Sequence, residues 1–289
     1  MLAIRPRTWP ASIAPVLVGW GIAIYIDKFY WLPALATLLV GLMIQIGANL
    51  VNDVADFKKG ADTIHRLGPT RVTQAGLLSP REVWVGAILV FLIAGLAGLY
   101  LAITSGWILI LLGAACILAA VIYTVGPFSL AYNGLGDLFA ILFFGFAAVC
   151  GTTFAISHTL PTSALLCSLG VGALVANILD VNNIRDIETD RVAGRRNIPV
   201  VLGRRAAELE YAGLLITAYS VTVLLFLTRQ VSWPGLLPLL SVPHAYQLYR
   251  KICKTPASPA FNPLLAATAQ LTLIYSMLTA AGFILSRLF

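Results

Sequence analysis

This 289-residue sequence predicts an all-α fold, a polytopic membrane bundle of about nine transmembrane helices. Three observations carry that expectation. Hydrophobic residues make up 59% of the chain and charged residues only 11%, too little polar surface for a soluble body of this length. Apolar segments of spanning length recur from end to end, at 10–27, 31–52, 82–103, 106–124, 134–157, 161–182, 206–228, 232–250 and 263–286. The charges between them are sided: with the N-terminus inside, 16 of the 19 Lys and Arg fall on one face, leaving Lys28, Arg229 and Arg287 on the other. Such a bias sets the topology as N-in and C-out, with the basic face cytoplasmic.

Taken in order, Met1 to Pro10 carries Arg5 and Arg7 straight into the first span, so no cleavable leader is expected. Short connectors at 27–30, 104–106, 157–161 and 229–233 alternate with longer polar ones. In the loop 53–81, Ser79-Pro80 reads as a helix cap and first helical residue for the third span. Loop 123–137 has no basic residue but several hydrogen-bonding groups and glycines, a composition suited to closing over a site. Loop 183–205 holds six arginines, and the segment 250–263 is proline-rich and basic. The net charge of +7 is explained by retention of basic residues on the cytoplasmic face, so nucleic acid is not expected as a partner. Cys116, Cys150, Cys167 and Cys253 lack metal spacing and read as free thiols.

Eleven of the twelve acidic residues also fall inside, which retention of cations does not require. They concentrate in two polar blocks that end the second and sixth spans. In the first, Asn49, Asn52, Asp53 and Asp56 share roughly a 100° arc of a helix, followed by Lys58, Lys59, Gly60 and Asp62. In the second, Asn182, Asp186 and Asp190 recur every four residues with Asn183 beside them, followed by Arg191, Arg195 and Arg196. Carboxylates on one stripe near lipid repel each other and need compensation. Asp and Asn oxygens suit Mg²⁺, and trailing Arg and Lys suit phosphate oxygens. Two such stripes facing each other would cage a diphosphate with its magnesium ions. Tyr123 and Asp137 flank loop 123–137 on the same side as further candidates, with Arg66 and Arg71 as cations between the second and third spans. The two blocks lie four spans apart, which suggests a single domain, 1–289, built as a four-plus-four duplication with a ninth helix appended.

Asn52-Asp53-x-x-Asp56 and Asp186-x-x-x-Asp190 resemble the two Asp-rich motifs of the UbiA superfamily of intramembrane aromatic prenyltransferases. The likeness runs over essentially the whole chain. Arg5-Pro6-Arg7-Thr8-Trp9-Pro10-Ala11, Lys59-Gly60-Ala61-Asp62, Tyr123-Thr124-x-Gly126-Pro127, Gly134-Leu135-Gly136-Asp137 and Asn182-Asn183-x-Arg185-Asp186 are similar to the branch that accepts 1,4-dihydroxy-2-naphthoate. The chain departs from many superfamily members in placing Asp62 where they have an acid at the position of Gly60, a shift usual in that branch. It departs again in Phe128-Ser129-Leu130, where an Arg-Pro-type continuation is more common.

The resemblance implies nine helices around a cavity open sideways to membrane lipid. It implies Mg²⁺ as cofactor, held by Asn52, Asp53, Asp56, Asp62, Asp186 and Asp190, with Asp53, Asp56, Asp186 and Asp190 catalytic. Lys58, Lys59, Arg66, Arg71, Arg195 and Arg196 would bind diphosphate, and Asn49, Tyr123, Asp137, Asn182, Asn183 and Arg185 would serve the acceptor or support the site. The implied reaction moves a polyprenyl or phytyl group from its diphosphate to 1,4-dihydroxy-2-naphthoate with loss of CO₂, at the inner membrane or, in a cyanobacterium, the thylakoid. Another aromatic acceptor, 4-hydroxybenzoate or homogentisate, is the alternative. A cation-coupled transporter fits less well, because its acids would lie near the midplane; a prenyl-lipid carrier would need no metal cages. The topology has a direct check. Cys253 should react with an impermeant thiol reagent only once the cytoplasmic face is opened, and labelling of intact cells would invert the orientation.

Overall fold

The apolar stretches fold as helices because a chain in lipid must satisfy every backbone N–H and C=O internally. The computed structural model describes residues 2–60, 67–68, 70–126 and 129–289, and among them no strand is found. Nine helical rods follow one another in these residues: α1 Pro10–Tyr25, α2 Trp31–Lys58, α3 Pro80–Ser105, α4 Ile108–Ile122, α5 Gly136–Ser157, α6 Thr162–Arg185, α7 Arg204–Leu227, α8 Val242–Lys254 and α9 Phe261–Ser286. Six of them, α2, α3, α5, α6, α7 and α9, are long and apolar enough to cross a membrane, and α1 and α4 are shorter apolar helices.

The eighth rod departs from the single apolar span expected at 232–250. A 3₁₀ stretch, Trp233–Ser241, containing Pro234 and Pro238, leads into α8, which carries Arg250, Lys251 and Lys254. Pro238 lacks the N–H that a continuous α-helix requires there. At α3 the sequence reading holds in detail. Ser79 accepts a hydrogen bond from the Glu82 N–H while the Glu82 carboxylate takes the Ser79 N–H, and Pro80 begins the helix.

Helices adjacent in sequence pack side by side, and α9 returns against α1 to close the ring. Small residues make the closest approaches. A Cβ on Gly145 of α5 would lie 2.4 Å from the Ser168 carbonyl of α6, and one on Gly21 of α1 would lie 2.6 Å from Ala280 Cα of α9. α6 is the enclosed member, 72% buried over its apolar window, whereas α3 is only 22% buried. Leu89, Leu92, Leu96 and Ile103 of α3 point outward, as a lipid-facing helix requires. Threonine and tyrosine hydroxyls stitch the interior: Thr272 donates to the Leu174 carbonyl and Tyr275 to that of Ala218. Within α5, Ile141–Cys150 is wound as a π-helix, which widens the rod beside the central cavity.

The acid-bearing end of the bundle is closed by two connectors. The first, after α2, is pinned by Asp53. Its two oxygens accept the backbone N–H groups of Val72 at 3.1 Å and Thr73 at 3.0 Å, and the side chain is fully buried. Asp53 sits at one edge of the 100° arc, farthest from Asn52, so it turns toward this loop while its neighbours turn inward. Asp53→Ala would strand two buried donors at a cost of about 2 kcal/mol or more. It should therefore lower the unfolding temperature of metal-free protein by several degrees in EDTA. An unchanged midpoint there would show that the acid has no part in holding the loop.

Candidate active site

One cavity of about 1210 Å³ runs inside the ring from an apolar wall on α3, α4 and α5 to the polar ends of α2 and α6. Its apolar part is lined by small and aromatic side chains, among them Gly98, Gly113, Phe139, Phe143 and Phe144. At its polar end stand Asn49, Asn52, Asp56, Arg71, Tyr123, Asp137, Asn182, Asn183, Arg185, Asp186, Asp190 and Arg195. Both polar blocks therefore face one chamber.

Asp56 is buried between two guanidinium groups, at 2.8 Å from Arg71 and 3.4 Å from Arg195. Arg195 reaches on to Asp190 at 3.3 Å and so joins the first acidic block to the second. Its Nε is buried without a hydrogen-bond partner, a donor directed into a site built for oxygens. Asp190 also accepts a hydrogen bond from Asn197 at 2.7 Å. Burial pushes the Asp190 carboxyl up to about 6, with Arg195 pulling the other way. Asp186 is gripped by its neighbour Arg185 through Nε and Nη2, at 2.8 and 2.6 Å. Arg185 is itself fully buried, held by Asn182 at 2.6 Å and Asn262 at 2.8 Å.

The expected continuous stripe in the second block is interrupted. α6 ends at Arg185, Asp186 adopts φ −99° and ψ 12°, and a separate short helix, Ile187–Val192, carries Asp190. The chain must turn back at this point, with Gly194 at φ 73° and the Arg195 N–H on the Asp190 carbonyl. The turn aims Arg195 at both acids.

The described residues of loop 123–137 lie over this end. Lys59 donates to the Thr124 carbonyl at 2.7 Å and to Ser129 Oγ at 3.1 Å. The Tyr132 ring lies 4.3 Å from Lys59 Nζ and 4.9 Å from the Arg195 guanidinium carbon. Burial draws the Lys59 ammonium below its ordinary value, with Asp56 opposing. Thr124 hydrogen-bonds Asn52, and the Tyr132 carbonyl takes the Arg196 N–H. Gly134 at φ 71° passes so close to the Arg196 carbonyl that a Cβ would stand 2.5 Å from it. The N-terminal segment completes the wall, with Thr8 Oγ1 accepting from Asn49 and Gln45.

Four of the expected site residues among those described do not line the cavity. Asp53 is engaged by the loop backbone and does not line the cavity. Lys58 and Arg196 have exposed side chains, and Lys59 is spent on the closing loop rather than on the chamber. Asp62 and Arg66 lie outside the described residues. Sequence reasoning missed Tyr132, Asn197 and Asn262, which act only through contacts across 63 residues or more or around a turn, and it passed over Asp180 and Glu210 inside apolar helices.

The profile of the UbiA prenyltransferase family matches residues 12–268. A 1,4-dihydroxy-2-naphthoate octaprenyltransferase of Mycobacterium leprae is 33% identical, with 98% of this chain and 95% of that protein covered. The Escherichia coli protein of the same name is also 33% identical, over 99% of this chain and 94% of that one. Among solved structures, a UbiA homolog from Archaeoglobus fulgidus bound to DMAPP and Mg²⁺ superposes with a TM-score of 0.70 at 16% identity, covering 96% of this chain and 97% of that one. Profile, relatives and fold agree over nearly the full length: this chain belongs to the UbiA prenyltransferase family.

Proposed function

We propose that this protein transfers a polyprenyl group from its diphosphate to 1,4-dihydroxy-2-naphthoate, releasing CO₂ and diphosphate and leaving a demethylmenaquinol, or a demethylphylloquinol from a phytyl donor. The observation that carries the reading is the chamber itself, where two acidic blocks bridged by Arg195 close one end of a long apolar cavity. The activity named for the Mycobacterium leprae and Escherichia coli relatives supports the choice of acceptor. The acids lie at the helix ends rather than at mid-membrane, which favours chemistry on a soluble arene over ion transport.

The donor set fits Mg²⁺: carboxylates of Asp56, Asp186 and Asp190 with amides of Asn52 and Asn183 are hard oxygen ligands. Bound there, the ion supplies charge neutralisation to diphosphate oxygens. The rest is work for the chain. Arg71 and Arg195, now paired with Asp56 and Asp190, are placed to turn onto phosphate oxygens, and the unpartnered Nε of Arg195 is ready for one. Arg185 holds Asp186 in place. The allylic C–O bond breaks because these cations stabilise the departing diphosphate more than the bound ester. The prenyl chain lies along α3, α4 and α5, where Phe139, Phe143 and Phe144 keep water from the allylic cation. Tyr132, held between Lys59 and Arg195, fastens the loop that shuts the polar end. The acceptor enters from the cytoplasmic side, near Tyr123 and Asp137.

Two measurements test the reading. Asp56→Ala and Asp186→Ala should each reduce turnover by at least about 100-fold while the protein stays inserted, and EDTA should do the same to the wild type until Mg²⁺ is restored. Near-normal activity in either variant would remove the acids from the site. With carboxyl-labelled 1,4-dihydroxy-2-naphthoate, label should leave as CO₂ in step with prenylation. Prenylation of 4-hydroxybenzoate with its carboxylate retained would shift the assignment to another acceptor.

A further inference from the structure

Three carboxylates that the diphosphate chemistry does not use gather beside the cavity. Asp137 opens α5, Asp180 lies in α6 about one and a half turns before its end, and Glu210 occupies the second turn of α7. A carboxylate oxygen from each lies within 4.8 Å of the other two. Both oxygens of Asp180, Oδ1 of Asp137 and Oε2 of Glu210 are buried without a hydrogen-bond partner. Asp180 has no exposed surface, yet it is aimed into this cluster. Asn177, one turn earlier on α6, is equally buried with both amide atoms unpartnered. Among the described residues the ionisable neighbours include Tyr123 beside Asp137, itself within reach of Arg195, and Tyr211 beside Asp180.

Three anionic carboxylates this close repel strongly where burial withholds water from Asp180, and a proton shared within the trio relieves that repulsion. Its three members differ in access. Asp137 lines the cavity on the side of Tyr123, Asp180 lies sealed behind it, and Glu210 is half-exposed beyond. A charge can therefore face the chamber at Asp137 while Asp180 and Glu210 share a proton, and an added proton on Asp137 relieves repulsion further.

We propose that Asp137, backed by Asp180 and Glu210, is the proton store for the acceptor. The inference rests on the prenyl-transfer reading above. As the arene carbon bearing the carboxylate bonds to the allylic carbon, the ring hydroxyl gives its proton to Asp137, and its O–H electrons become the carbonyl of a keto intermediate. The diphosphate departs with the electron pair of the broken C–O bond. The carboxylate then leaves as CO₂, its C–C bonding pair re-forms the ring enolate, and the enolate oxygen takes the proton back from Asp137. No net proton is gained or lost by the cluster. Asp137 is the catalytic residue, and Asp180 and Glu210 are positioning residues that set how readily it accepts and returns the proton.

The full-length protein in lipid nanodiscs, with Asp137→Asn, Asp180→Asn and Glu210→Gln variants, tests this against pH. At pH 7, Asp137→Asn should turn over about 100-fold more slowly. Its affinity for a non-hydrolysable farnesyl thiolodiphosphate with Mg²⁺, and its unfolding temperature, should match the wild type. Its turnover should climb about tenfold per pH unit as solvent ionises the acceptor's hydroxyl, a rise the wild type lacks. Asp180→Asn and Glu210→Gln should shift the wild-type pH profile rather than abolish activity. A deficit that is flat with pH, or one matched by weakened thiolodiphosphate binding, would overturn the proposal, as would undiminished turnover. Mn²⁺ retained by an Asp56→Ala, Asp186→Ala double variant and lost on adding Asp180→Asn would instead make the trio a cation site. The comparison uses whichever hydroxylated arene the wild type prenylates. A wild type inactive on 1,4-dihydroxy-2-naphthoate but active on another such arene defeats the choice of acceptor without touching the proton store.

Discussion

The site depends on one electrostatic constraint: carboxylates gathered at the end of an apolar bundle must be neutralised where they stand. Asp56 and Asp190 come from blocks more than 130 residues apart, and Arg195 lies between them. Without a cation there, their mutual repulsion in a poorly solvated chamber would push α2 and the turn after α6 apart. Arg71 and Arg185 repeat the arrangement at Asp56 and Asp186. The break at Asp186 and the turn through Gly194 make sense in this light, because a helix running on from α6 would carry Arg195 away from the chamber.

The ring of helices supplies the other half of the chemistry. Helices in lipid gain little from burying apolar surface against each other, so close backbone contact and interhelical hydrogen bonds hold them. Gly145 against Ser168 and Gly21 against Ala280 are such contacts, and the Thr272 and Tyr275 hydroxyls are such bonds. They concentrate on α1, α5, α6, α7 and α9. The apolar wall of the cavity is built instead from small residues of α3 and α4 interspersed with leucines and isoleucines, and from the π-wound part of α5, which leaves volume between helices rather than filling it.

Much of this was legible in the sequence, because a membrane turns composition into geometry. Apolar runs of about twenty residues can only be helices, and the repeated Asn and Asp at helical spacing had to share a face. Asn49, Asn52 and Asp56 do so, in one cavity with Asn182, Asp186 and Asp190. The sequence could not show that Asp53, at the edge of the same arc, turns outward to cap a loop, since that depends on where Val72 and Thr73 lie. Nor could it show that Lys59 serves a loop 65 residues later, or that Asn262 steadies Arg185. Asp180 and Glu210 were hidden for another reason. Asp180 is the one acid of α6, Glu210 shares α7 with Glu208, which Arg204 and Arg205 already pair, and only the packing of α5, α6 and α7 makes Asp137, Asp180 and Glu210 neighbours.

The pairing of Asp56, Asp186 and Asp190 with arginines has a thermodynamic consequence. Before any ligand arrives, Asp56, Asp186 and Asp190 are satisfied by Arg71, Arg185 and Arg195. In the roles proposed above, a metal ion alone would have to displace those arginines from the carboxylates, and a diphosphate alone would have to compete with the carboxylates for the arginines. Arriving together, each releases the group the other needs, and the cost of breaking the internal pairs is met once instead of twice. Metal and diphosphate would thereby be coupled with positive cooperativity, and the coupling would be reciprocal, each raising the affinity for the other by the same factor. With the roles proposed above, the empty site favours the metal–diphosphate complex over either ion alone.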